Sequence, residues 1–192
     1  MHRQARDLLG REGARPRRYL EEVSVEQSGV VTVRTARSED GAAIGQLITD
    51  VYVGGGFIPA NQPYAATLAD TAARAAAAEI LVAELDGAIV GTVTIARPGS
   101  AYAPLARPDE LEFRMLAVDT SVRGGGIGTM LVRRVLEVAR SESYAAVVIS
   151  TMETMVDAQR LYRKLGFARV PERDWDVVPG VRLPVLAIAV NA

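Results

Sequence analysis

The chain of 192 residues has no cysteine, one histidine and one lysine. Without cysteine there are no disulfides, no thiolate metal ligands and no cysteine nucleophile, so a cysteine-bound acyl-enzyme is excluded. The single histidine, His2, lies in an arginine-rich leading segment, which argues against a catalytic histidine or a histidine-based metal cluster. The net charge of −1 gives no whole-molecule attraction to nucleic acid or to an anionic membrane. No apolar run reaches the ~18–20 residues needed to cross a bilayer, and the first residues lack the apolar stretch of a secretory signal. A cytoplasmic protein is the expectation. Chemistry is left to carboxylates, hydroxyls, arginines, Lys164 and the backbone.

Hydrophobic residues make up 49% of the chain and charged residues 23%, the balance of a globular domain with one sizeable core. Residues 1–29 read as a basic N-terminal extension, flexible or partly helical, and the alternative reading is an arm that contacts a partner. Residues 30–192 read as one domain. "VVTVRTA" from Val30 alternates and is β-branched, so it predicts a strand, and Ser38 predicts the N-cap of a helix through "EDGAAIGQLITDVYV". "GGGFIPANQPY" reads as a loop and "TLADTAARAAAAE" as one helix. Asp86-Gly87 between two alternating runs is a hairpin signal. A loop from Arg97 to Pro108 precedes the strand "ELEFRMLAV".

A glycine cluster then opens a helix reaching about Arg140. "AAVVIST" predicts a buried strand, "MVDAQRLYRKLGF" a helix stopped at Gly166, and "FARV" and "RLPVLAIAV" two strands around a polar loop holding Trp175. The resulting fold class is α/β (α+β): a mixed, largely antiparallel twisted sheet of about six to seven strands with about four helices. An exposed final strand would be a place for pairing between subunits, and a homodimer is possible.

Four glycines in the six residues Gly124–Thr129 need a physical reason, because glycine inside a helix costs about 1 kcal/mol relative to alanine. A strand, a glycine turn and a helix N-terminus make an anion cradle, in which backbone N–H groups meet phosphate oxygens with no Cβ between them. No lysine follows the glycines as a P-loop requires, and the dinucleotide spacing G-x-G-x-x-G ends on Leu131 instead of glycine.

Arg123-Gly124-Gly125-Gly126-Ile127-Gly128 resembles the [RQ]-x-x-G-x-[GA] signature of the GNAT N-acetyltransferase superfamily. "LEFRMLAVDTSVRGGGIGTMLVRRVLEVAR" and "AQRLYRKLGF" resemble the elements around it. The resemblance covers Val30 to about Val190 and implies the GNAT fold, with acetyl-CoA as cosubstrate and no metal. It implies that the fourth and fifth strands splay apart to admit the pantetheine arm. Leu116, Ala117 and Val118 would then contact pantetheine and thioester, and Arg123, Gly124, Gly126, Ile127, Gly128 and Thr129 would cradle the pyrophosphate. Met155 and Ala158 fall on the cofactor side of the next helix. At Met155 many members carry asparagine, so one polar cofactor contact is absent.

The implied reaction is acetyl transfer to a primary amine by direct attack in a ternary complex. Tyr162 would be the general acid and Glu112 the general base, against packing for the first and a surface carboxylate paired with Arg114 or Arg97 for the second. Tyr52, Phe57 and Tyr64 could shape the acceptor pocket, and Glu172, Asp174 and Asp176 could attract a cationic amine. The acceptor is a small-molecule or peptide amine. A second reading is a catalytically inactive acetyl-CoA-binding regulatory module.

Overall fold

The computed structural model describes residues 29–178 and 181–190. Along the chain run β1 (Val31–Thr35), α1 (Gly41–Thr49), α2 (Pro63–Ala69), α3 (Thr71–Ala77), β2 (Glu79–Leu85), β3 (Ala88–Ala96) and β4 (Glu110–Val118). There follow α4 (Ile127–Ser141), β5 (Ala146–Ser150), α5 (Val156–Lys164), β6 (Ala168–Arg169), β7 (Trp175–Val178), β8 (Val181–Leu183) and β9 (Val185–Ala189). Seven strands form one sheet in the order β1-β2-β3-β4-β5-β9-β6. All its pairings are antiparallel except β4 with β5, which needs the α4 crossover. The leading arm expected over residues 1–29 lies almost entirely outside the described residues.

Local chemistry explains where the elements break. Asp86 and Gly87 both take left-handed φ, 51° and 82°, as the two-residue β2–β3 turn requires. Asp70 divides the alanine-rich stretch, predicted as one helix, into α2 and α3. Its backbone leaves the helical region and its side chain accepts the N–H of Ala73 at 2.9 Å. Pro63 opens α2 inside the segment read as a loop. Ser38 is not the cap of α1: it begins a 3₁₀ turn, and the Asp40 carboxylate accepts the N–H of Arg37 at 2.7 Å instead. The end of the predicted first helix is a π-helical segment, Asp50–Gly54.

The C-terminal reading needs two corrections. Trp175 lies on β7, which pairs with β8 as a separate hairpin, and Pro184 divides the predicted last strand into β8 and β9 because it has no N–H for a ladder. Nor is β9 a sheet edge: it lies between β5 and the short β6.

Two apolar layers cover the sheet. On one face, Leu111 and Phe113 of β4 pack with α4, α5 and β5, and the rings of Phe113, Tyr162 and Phe167 meet with centroids 5.6–5.9 Å apart. On the other face, Met115 and Ala117 of the same strand pack with α1, α2 and Ile58.

Candidate active site

β4 changes sides in mid-strand. Met115 has φ of 53°, and the β3–β4 register shifts between Thr92 and Thr94, which marks a bulge. Before it, Leu111 and Phe113 face the α4–α5 layer; after it, Leu116 and Val118 do. The pairing of β4 with β5 spans only Glu110–Glu112 against Ala146–Val148. Beyond Glu112 the two strands part, as expected from the sequence, and the edge of β4 carrying the bulge is released from the ladder.

A cavity of about 500 Å³ begins at this gap. Leu116 and Val118 line its β4 wall, and Arg123, Gly124, Gly126, Ile127, Gly128 and Thr129 line its floor at the head of α4. Met155 and Ala158 close it from α5. Ala117, grouped with these on sequence grounds, turns its side chain into the α1–α2 layer, so only its backbone can serve the cavity. Val51, Thr154, Leu161 and Lys164, none of them assigned to the cofactor site on sequence grounds, also line it, and Phe57, read as a wall of the acceptor pocket, lines this cavity too. Leu161 and Lys164 lie on successive turns of the α5 stripe and could have been found from its period.

The glycines separate by role. Gly124 and Gly126 have φ of 87° and 81°, a conformation that L side chains rarely adopt, and a Cβ on either would meet no protein atom within 4 Å. Gly128 is packed: a Cβ there would come within 3.1 Å of Leu161 Cδ2. Among the described residues, no acceptor takes the N–H of Gly124, Gly126, Gly128 or Thr129. Those groups, the partial positive charge of the α4 N-terminus, Arg123 and Lys164 form a cradle suited to a pyrophosphate. At Met155, the N-cap of α5, no side-chain cap bond is made. Instead Gln159 ties down the approach to α5, its Nε2 donating to the carbonyls of Met152 at 2.9 Å and Glu153 at 3.1 Å.

Glu112 is not a surface carboxylate. It is fully buried, and its Oε2 accepts the N–H groups of Leu105 at 2.9 Å and Ala106 at 3.2 Å. Among the described residues Oε1 has no hydrogen-bond partner, and Arg114 Nε stands 3.9 Å from it. Burial outweighs the two N–H groups, Arg114 and Arg173, and pushes the carboxyl up to about 7. Arg97, the other partner considered, pairs with Glu79 and Glu142.

Tyr162 is 3% exposed, with its ring in the aromatic cluster beneath β4. Burial raises its hydroxyl well above the usual phenol range. It is close enough to raise that of Tyr52 as well, and Tyr52 donates to the Leu116 carbonyl at 3.3 Å. Tyr64, with Tyr52, belongs to the α1–α2 side of the sheet, where Arg114 lies at its hydroxyl. Asp174 is bound by Arg169 and by the N–H of Val185 at 3.0 Å, which leaves it no free charge for an amine. Glu172 and Asp176 are exposed.

Residues 37–167 match the Acetyltransferase (GNAT) family. The chain belongs to the GNAT acetyltransferase family. This GNAT chain is 39% identical over 102 residues to N-acetylaspartate synthetase of Danio rerio, a match covering 52% of the chain and 33% of that protein. It is 41% identical over 88 residues to N-acetyltransferase 8B of Homo sapiens, covering 46% and 37% respectively. The matches thus span about a third of the length of these curated relatives.

Among solved structures, an acetyltransferase of the GNAT family from Staphylococcus aureus Mu50 superposes with a TM-score of 0.69 at 14% identity, covering 84% of this chain and all of that one. The structure of yncA from Salmonella typhimurium with its cofactor acetyl-CoA superposes with a TM-score of 0.63 at 20% identity, covering 84% and 94%. These likenesses establish the GNAT fold. Among the described residues, no helix is long and apolar enough to cross a membrane, and no group of three or more acidic or histidine side chains is placed to hold a metal.

Proposed function

We propose that this GNAT chain is an N-acetyltransferase that moves an acetyl group from acetyl-CoA to a primary amine by direct attack in a ternary complex. The observation that carries the reading is the cavity that runs from Leu116 and Val118, on the part of β4 no longer paired with β5, to the glycine-lined head of α4, where N–H groups have no acceptor among the described residues. The residues fit the cosubstrate. Gly124, Gly126, Gly128 and Thr129 would hold its pyrophosphate, with Arg123 and Lys164 adding charge. The backbone of Leu116–Val118 would meet its pantetheine arm and thioester. Acetyl-CoA supplies the activated acyl group.

The chain's own residues do the rest. Glu112, near neutral pKa, takes the proton of the attacking amine, directly or through an ordered water. Backbone N–H groups at the bulge face the charge that develops on the carbonyl oxygen. Tyr162, which keeps its proton throughout the physiological range, donates it to the departing sulfur. Relatives named N-acetylaspartate synthetase and N-acetyltransferase 8B support N-acetyl transfer as the reaction type.

Thermal unfolding tests the cosubstrate. At about a hundred times Kd a ligand adds roughly 2.7 kcal/mol, which for a chain of this size is a Tm shift of very roughly 5–10 °C. Acetyl-CoA should give that shift and ATP and NAD should not; a shift with all three, or with none, sinks the reading. Tyr162→Phe should lower turnover by about 10²–10⁴ while leaving the acetyl-CoA shift in place. Near-normal turnover in that variant would reduce Tyr162 to its packing role.

A further inference from the structure

Three glycines and a phenylalanine, "GGGF" at residues 54–57, have no part in the cradle, yet Phe57 lines the cofactor cavity. Val51, on the π-helical segment before them, lines it too. The local backbone holds both in place. Gly56 has φ of 76° and stops the segment in the pattern common at helix ends. Its N–H donates to the Val53 carbonyl at 3.0 Å, and the N–H of Phe57 donates to the Tyr52 carbonyl at 3.0 Å. The N–H of Ile58 donates to that same carbonyl at 2.9 Å, and its side chain is buried on the α1–α2 side. Gly55 has no room for a side chain: a Cβ there would strike the Val51 carbonyl oxygen and stand 3.1 Å from Cε2 of the Phe57 ring.

The direction of β4 says which end of the cavity this wall closes. Val118 ends the strand just before the turn that opens α4, and Leu116 lies two residues back, about 6.5–7 Å farther from the cradle. The Tyr52 hydroxyl donates to the Leu116 carbonyl at 3.3 Å, so the segment from Val51 to Phe57 meets β4 at Leu116. A CoA thioester carries its pyrophosphate, pantetheine and acyl group in that linear order. With the pyrophosphate at the head of α4, the arm follows β4 from Val118 toward Leu116, and the acyl group comes last. It arrives where Leu116, Val51 and Phe57 line the cavity.

These three side chains are apolar and offer no hydrogen bond, so they limit an acyl chain by shape alone. Val51 is buried, and the Phe57 ring lies against Gly55 with its backbone tied to Tyr52. A close-packed wall of this kind resists overfilling, because extra methylenes force side chains off their rotamers. An acyl chain that is too long must push the ring aside or draw the thioester back from the Leu116–Val118 backbone. The first lowers affinity and the second lowers turnover.

We propose that Phe57, fixed by Gly55 and Gly56 and joined by Val51, is the residue that sets the length of the acyl group this chain accepts. Acetyl stops short of the ring, and a chain of several carbons meets it. The proposal rests on the acetyl-CoA reading above and narrows its donor. Phe57 then belongs to the donor side of the site and not to the acceptor pocket. The glycines before it have a purpose of the same kind: Gly55 admits the ring to its position, and Gly56 turns the chain so that Phe57 follows directly after the π-helical segment. In a close-fitting apolar pocket one methylene changes discrimination by about 10- to 200-fold, so a single ring is enough to separate short acyl groups from long ones.

The test titrates CoA, acetyl-CoA, butyryl-CoA and hexanoyl-CoA into the wild type, Phe57→Leu and Phe57→Ala by calorimetry, with no acceptor present. Each affinity is divided by that of CoA in the same protein. In the wild type this ratio should fall about tenfold or more from acetyl-CoA to hexanoyl-CoA. Phe57→Ala should bring hexanoyl-CoA level with acetyl-CoA or above it, and Phe57→Leu should fall between. Should Phe57→Ala bind no CoA, the ratio in Phe57→Leu decides. A wild type that binds hexanoyl-CoA as well as acetyl-CoA, or a fall just as steep in the variants, would overturn the proposal and leave the cosubstrate reading standing. So would variants that change only the KM of an amine acceptor, which would return Phe57 to the acceptor pocket. Wild type that binds neither CoA nor any thioester would overturn both readings.

Discussion

Glu112→Gln is expected to lower kcat by about 10²–10⁴ and to abolish the acidic limb of the pH–rate profile. A general base acts only when deprotonated, so the wild-type rate should rise through the pKa of Glu112, about 7, and level off above it. The amide cannot titrate, and its residual rate should show no such limb. Stability should move the other way. The folded-state pKa lies above the unfolded carboxyl value, so folding favours the protonated form. The cost of keeping the charge buried begins near pH 4.5 and is complete above about 7. At pH 8 the Gln variant should therefore unfold at the same or a higher temperature than wild type, and at pH 5 the difference should vanish. An unshifted profile with near-normal turnover would remove Glu112 from the chemistry. A large fall in Tm at pH 8 would make its role structural.

The second large effect belongs to Gly126. Its φ of 81° is a conformation that asparagine and aspartate enter more easily than other side chains, and a Cβ added there meets no protein atom within 4 Å. The pair Gly126→Asn and Gly126→Asp therefore separates bulk from charge. Both fill the head of the α4 cradle, and only Asp sets a negative charge among the free N–H groups. Gly126→Asp should weaken acetyl-CoA binding by about 10²-fold or more, with Gly126→Asn falling between it and wild type. The loss for Asp should shrink as salt is raised, since screening acts on the charge and not on the bulk. Equal losses for both variants would mean that the cradle excludes side chains for space alone.

Much of this architecture could be read from residue patterns because the signals are local. The Asp86-Gly87 turn, the glycine cluster and the period of α5 each depend on a few neighbouring residues, and the strands and helices around them follow. Four features resisted because their causes are distant in sequence or specific to the tertiary fold. Met115 carries no left-handed preference, so nothing in "EFRMLAV" announces the bulge. Arg74 sits in an alanine-rich run where helix propensity hides a buried cation. The 3.9 Å approach of Arg114 to Glu112 depends on how both side chains are packed beneath the neighbouring loop. The β7–β8 hairpin, in which Trp175 faces Leu183, lies in a stretch read as a polar loop, because its two short strands offer too few residues for alternation to show. Glu112 was chosen by its place on the strand, but its complete burial and the N–H groups of Leu105 and Ala106 emerge only from the folded loop.

The bulge at Met115 gives β4 something like a reading frame. Upstream of it, odd-numbered residues face α4 and α5; downstream, even-numbered residues do. One strand can therefore turn Glu112 and Arg114 toward the α1–α2 side and still present Leu116 and Val118 to the cavity on the other. Deleting Met115 would restore simple alternation and leave Leu116 and Val118 on the α4–α5 side, whereas losing the bulge with Met115 retained would turn both to the α1–α2 side. The faces beyond the bulge therefore depend on the backbone setting Met115 aside as an extra residue, with φ of 53°, more than on which side chain stands there.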